Sequence, residues 1–329
     1  MIFTPWALGL TICSIILLLL LFKIVLPSLI ILFNYAKKDS SLLLSLEWQE
    51  MLSGAILRFA FLYFLFSPFL LTAAAFELGR QIPGAMCALG TFNANAYGFP
   101  LIIVRLIGVF IIASWLVLYS IDMNSPEQPF RNIRRRFIIF IFLFMLTDTV
   151  IQTLFFALLD SKIITSCCAI VFDRAGTFFD NPAGIFAEFP SCNLFFLVAS
   201  FYVLSGFLSV ILRNNTFWLF YGLFSPIFFF FSLFAVISCI SPFIYAMPNH
   251  HCPFCILTGK EAFIGIPLLF SLYLSSIFSW NSGVAEMACK YKKASCSEIR
   301  RLRFIRSVAF ILNLIFFLIS GLAVSFYEF

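Results

Sequence analysis

A chain of 329 residues that is 62% hydrophobic and only 11% charged is too apolar for a soluble globule, in which roughly half the residues are apolar and about a quarter charged. Its mean hydropathy of +1.05 and its 47 phenylalanines place it among all-α, polytopic integral membrane proteins. The net charge of +6 is therefore read loop by loop as a signal of helix orientation. That reading excludes nucleic acid as a partner and leaves the lipid bilayer as the first one.

A helix needs about 20 apolar residues to cross roughly 30 Å of hydrocarbon. By that measure the chain predicts about eight transmembrane helices, near 7–33, 53–78, 99–121, 137–159, 193–212, 217–245, 262–280 and 304–326. Met1 to Leu10 has no basic region before its apolar run, so it reads as the start of a retained helix and not as a signal peptide. The whole of 1–329 reads as a single membrane domain, with no internal repeat.

The basic residues orient these helices. Fourteen of the 21 Lys and Arg, from Lys37 and Lys38 through Arg131, Arg134, Arg135, Arg136 and Arg213 to the 290–306 stretch, fall in alternate loops. Those loops (34–52, 122–136, 213–216 and 281–303) are expected to be cytoplasmic. The opposite loops at 79–98, 160–192 and 246–261 carry only Arg80, Lys162, Arg174 and Lys260. Both termini are therefore expected to be extracytoplasmic, in a bacterial inner membrane or its equivalent.

Taken in chain order, the first helix carries Lys23 near mid-depth and a kinking Pro27. The link from Ser40 to Leu52 mixes leucines, Trp48 and two glutamates, which suits a short interfacial helix or a plain connector. Arg58 lies where it can snorkel to the cytoplasmic surface. The first outer loop, Met86 to Gly98, has two glycines and two asparagines, suited to positive φ angles and to folding inward under the cover of protein. Arg105 in the third helix and Asp148 in the fourth are charges inside the hydrocarbon. There an ionised side chain costs at least about 2.5 kcal/mol, so Asp148 is expected to pair with Lys23 or Arg105, or to take part in moving an ion or proton. The second outer loop contains adjacent Cys167 and Cys168, and Asn181-Pro182 reads as the start of a short surface helix.

The sixth helix leads into Asn249-His250-His251-Cys252-Pro253-Phe254-Cys255, which holds both histidines of the chain. Six of the ten cysteines, Cys87, Cys167, Cys168, Cys192, Cys252 and Cys255, fall in outer loops. Cys289 and Cys296 face the cytoplasmic side and are expected to be plain thiols.

Three readings of the outer cluster follow. In the first, His250, His251, Cys252, Cys255, Cys167, Cys168 and Cys87 bind or transport a soft metal ion, Cu or Zn, because thiolate and imidazole are its preferred ligands; the adjacent Cys167-Cys168 pair resembles that of mercury-uptake membrane proteins. In the second, the protein is a thiol-disulfide oxidoreductase. Cys252-Pro253-Phe254-Cys255 resembles the Cys-Pro-x-Cys of thioredoxin-like and disulfide-forming proteins, which implies Cys252 as attacking thiol and Cys255 as its catalytic partner, with a quinone as cofactor. In the third, disulfides staple the membrane anchor of a larger complex. The partners these imply are an extracytoplasmic redox or metal-carrier protein, or other membrane subunits. His250-His251-Cys252-Pro253 also resembles the core of the Asp-His-His-Cys palmitoyltransferases, but Asn249 replaces the aspartate and their zinc-binding cysteine array is missing, so that activity is not carried over.

Overall fold

Eight helices are long and apolar enough to cross a membrane, and among the described residues there is no strand. The computed structural model describes residues 4–33, 40–85, 87–125, 128–160, 165, 190–212, 215–247, 250–292 and 299–326. Met86, Cys167, Cys168, the expected surface helix at 181–186, Asn249 and Cys296 lie outside the described residues.

In chain order the elements are α1 (Pro5–Phe33), α2 (Ser40–Gly79), the short α3 (Ala88–Phe92), α4 (Gly98–Met123) and α5 (Arg131–Ala157), then α6 (Cys192–Leu212) and α7 (Asn215–Ala235). A π-turn (Val236–Ile240), the short α8 (Ser241–Tyr245) and a 3-10 turn (Cys255–Leu257) lead to α9 (Ala262–Lys292) and α10 (Ile299–Phe326). The long helices alternate in direction. Cys87, Cys252 and Cys255 therefore lie at one end of the bundle, the thiol end, and the α4–α5, α6–α7 and α9–α10 connections lie at the other, the basic end.

Two expectations are corrected. The segment after Ser40 is neither a separate interfacial helix nor a connector, because α2 runs unbroken for 40 residues, about 60 Å. The expected break at Trp280-Asn281-Ser282-Gly283 does not occur either, and α9 continues to Lys292. Gly283 lies backbone to backbone against Gly222 of α7, where a Cβ on either glycine would overlap the other helix. A turn further on, Glu286 pairs with Arg306 at 2.8 Å. Glycine at this position serves the close approach of two helices, and the contacts beyond it keep the helix going.

The eight long helices form two halves of four. In the first half, α1 packs on α2 and α5, and α4 packs on α2 and α5. In the second, α6 packs on α7 and α10, and α9 packs on α7 and α10. The principal contact between the halves is third helix on third helix, α4 against α9. Flanking contacts mirror one another across this seam, with Phe110 of α4 meeting Phe229 of α7 and Phe69 of α2 meeting Tyr273 of α9, their ring centroids 5.7 and 5.5 Å apart.

The likeness extends to detail. Between its second and third long helices each half has one short turn, α3 or the 3-10 turn, next to cysteine. Each third helix has in its first turn a glycine pressed against that short turn, Gly98 on the Phe92 carbonyl and Gly265 on the Ile256 carbonyl. At the basic end each third helix carries an acid paired with an arginine of the fourth: Asp122 with Arg134 at 2.6 Å, and Glu286 with Arg306. Each arginine lies over a tryptophan ring, Trp115 and Trp218 respectively. The repeat that the sequence hides is thus present in the arrangement.

Candidate functional site

The thiol site begins with two loops pinned from below. In the first, Thr91 donates to the Ala75 carbonyl of α2 at 2.7 Å and Asn95 donates to the Phe155 carbonyl of α5 at 3.0 Å. Every residue of α3 is buried, so the loop does fold inward. Gly90 and Gly98 adopt no positive φ, however; in this loop that conformation falls to Gly84 at +84°. Cys87 caps α3 in extended conformation, which aims its side chain across the seam.

The second loop is organised by Ser241. Its hydroxyl lies within hydrogen-bonding reach of two carbonyl oxygens, those of His250 at 3.2 Å and Cys252 at 3.1 Å. Ala246 takes a left-handed conformation (φ 50°) that lets the chain reverse after α8, and the Thr258 amide closes the far side by donating to the Cys255 carbonyl at 2.9 Å. His251 Nδ1 lies 3.1 Å from the Ile237 carbonyl in the π-turn. A carbonyl only accepts, so the proton is on Nδ1.

The two loops bring three sulfurs together. Cys87 Sγ and Cys252 Sγ are 3.5 Å apart, and the sulfurs of Cys87, Cys252 and Cys255 all lie within 4.8 Å of one another. Cys87 and Cys252 are buried and Cys255 is partly exposed. Leu89, Phe76, Phe99, Ile237 and Phe254 pack around them. A trigonal centre with metal–sulfur bonds of about 2.3 Å needs sulfurs about 4.0 Å apart, so these three fit one soft ion after shifts of under an ångström.

The other expected ligands fare differently. Neither histidine ring belongs to the sulfur group. The His250 ring lies tilted against Tyr245, ring centroids 4.1 Å apart, with its Nε2 buried and without a hydrogen-bond partner among the described residues. Cys192, counted among the outer thiols, is in a disulfide with Cys239. It ties the start of α6 to the π-turn, and Ser238 donates to the Pro190 carbonyl beside it at 2.7 Å. Sequence reasoning missed this bridge because Cys239 reads as the end of a helix, although its place two helical lengths from Cys192, along α6 and back along α7, puts both at the same end. Cys289, expected as a plain thiol, is disulfide-bonded.

The interior charges form a second cluster, lined by all four helices of the first half. Arg105 is fully buried; its Nη1 donates to the Ser67 carbonyl at 3.3 Å and its Nη2 to the Tyr63 hydroxyl at 2.9 Å and to Gln152 Oε1. Gln152 donates in turn to Thr11 and Ser14 of α1. Asp148 is also fully buried, 3.4 Å from Arg105 Nε. Lys23 has no part in this: it lies on the exposed face of α1, about 14 Å further along the helix than Ser14.

No known protein family matches this chain, and no curated protein or solved structure matches it.

Proposed function

We propose that the protein binds a soft metal ion at Cys87, Cys252 and Cys255 and carries it into or across the membrane. The observation that supports this reading is the convergence of three thiols, from loops of two different halves, to within 4.8 Å. Three sulfurs without imidazole suit Cu(I) better than Zn, because zinc in protein sites takes four ligands. The distribution of Lys and Arg would put the site on the extracytoplasmic face, the side from which an ion would be captured. Metal analysis of protein purified under reducing conditions and equilibrated with Cu(I) tests the reading. About one ion per chain is expected, with loss in Cys87→Ser and in Cys252→Ser; equal retention by both variants and the parent would overturn it.

The 3.5 Å approach of Cys87 and Cys252 favours a second reading, thiol-disulfide exchange. Oxidation of this pair would release two electrons and two protons to a membrane quinone, and exchange with an incoming dithiol, which leaves as a disulfide, would return the pair to thiols, with Cys255 in place to share the mixed disulfide. Reduction of a quinone analogue that depends on Cys252 and proceeds in metal-free protein would favour it over metal capture.

A further inference from the structure

We propose that Asp148 is a proton-binding site inside the first half, which takes up and releases H⁺ whatever the thiols bind. The two terminal nitrogens of Arg105 are committed to the Ser67 carbonyl, the Tyr63 hydroxyl and Gln152, and its charge lies over the Tyr63 ring at 5.4 Å. Only Nε approaches Asp148, and at 3.4 Å it does so as an ion pair without hydrogen-bond alignment. Among the described residues neither oxygen of the Asp148 carboxylate accepts a well-aligned hydrogen bond, although both are buried.

The two partners are therefore unequal. Arg105 keeps its acceptors whether or not Asp148 is ionised, whereas the charged form of Asp148 rests on Arg105 alone. Arg105 from α4 acts on Asp148, the Tyr63 phenol from α2 shares the cluster, and α1 contributes the hydroxyls of Thr11 and Ser14 through Gln152. The step adds one proton from bulk water to a carboxylate oxygen, breaks no bond in the protein and leaves the Arg105 charge unchanged.

The second half shows that the fold does not need this charge. Counted from Gly98 and Gly265, Arg105 corresponds to Leu272, and counted back from Asp122 and Glu286 it corresponds to Leu269, so either register puts a leucine there. Asp148 lies fourteen residues after Arg134, and fourteen after Arg306 comes Ser320. Leu272 and Ser320 are both fully buried, and Ser320 is satisfied by the Phe316 carbonyl of its own helix at 2.8 Å. Among the described residues the same four-helix ring thus closes with no ion pair beyond Glu286–Arg306 at its basic end. An ion pair that packing does not require, at membrane depth, marks a functional site.

The test is infrared difference spectroscopy of the whole protein in lipid between alkaline and acid pH. A carboxylic-acid C=O band that grows on acidification is expected, moving in frequency in Asp148→Glu and vanishing in Asp148→Asn. Should Asp148→Asn fail to fold, the double variant Arg105→Leu/Asp148→Ser installs the second half's own residues and is expected to fold and to lack the band. Identical spectra for the parent and for the folded variants would overturn the proposal, and since no metal is added, that result is independent of the thiol site.

Discussion

Cys87 and Cys252 are 165 residues apart in the chain, and their sulfurs are 3.5 Å apart. Either sulfur can donate to the other at that distance, so the contact joins the two loops directly. The site is assembled by the two halves jointly, and neither loop has three sulfurs of its own.

Loss of any one sulfur leaves two, so Cys87→Ser, Cys252→Ser and Cys255→Ser are each expected to weaken Cu(I) binding at least about 100-fold, by analogy with the loss of stabilising groups around metal sites. Binding releases thiol protons, so affinity should rise with pH; competition titration with a Cu(I) chelator at several pH values measures both effects.

The seam can be tested covalently. With a protease site inserted after Cys168 and before Cys192, in a Cys167→Ser/Cys168→Ser background, cleavage separates the halves. Mild oxidation is expected to rejoin them on a non-reducing gel, and Cys87→Ser to prevent it. The Cys192–Cys239 disulfide lies wholly within the second piece and does not interfere.

Breaking one buried ion pair at the basic end leaves its partner charged and unpaired, which costs about 3 to 5 kcal/mol. Asp122 is the more severe case, since its other oxygen also accepts the Phe130 amide at 2.9 Å. Asp122→Asn is expected to lower the thermal unfolding temperature in detergent more than Glu286→Gln, whose pair is slightly exposed. Equal or negligible shifts would count against this ranking.

At the α7–α9 crossing, a Cβ added to Gly283 would lie 2.8 Å from Gly222 Cα. Backbone cannot yield as a side chain does, so Gly283→Ala is expected to destabilise by about 1 to 3 kcal/mol, with Gly283→Leu failing to assemble. Gly321, with open space around its Cβ position, is the control: Gly321→Ala should leave the unfolding temperature unchanged.

The transmembrane helices were legible in the sequence because a run of twenty apolar residues has few other fates. Their ends were less so. Asn281-Ser282-Gly283 carries the composition of a loop, and only the partner glycine across the helix interface explains why it is helical. Three of the expected ligands, Cys87, Cys252 and Cys255, do meet. The histidines stand next to them in sequence, but the turn held by Ser241 directs one ring to Tyr245 and the other to the π-turn. Likewise Lys23 and Arg105 are equally good partners for Asp148 in one dimension, and only helix packing chooses between them. The repeat is invisible in sequence because the halves share a ring of contacts and very few identical side chains.

The unlike interiors of the two halves have a consequence for design freedom. A dimer of identical four-helix chains must carry every substitution twice, once on each side of its axis. A single chain is released from that constraint: here one half supplies one sulfur and the other two, and among the described residues the first half alone adds a second buried ion pair, Arg105–Asp148, to the one that each half has at its basic end. Division of labour between equivalent modules is open to a covalently joined pair and closed to a symmetric one.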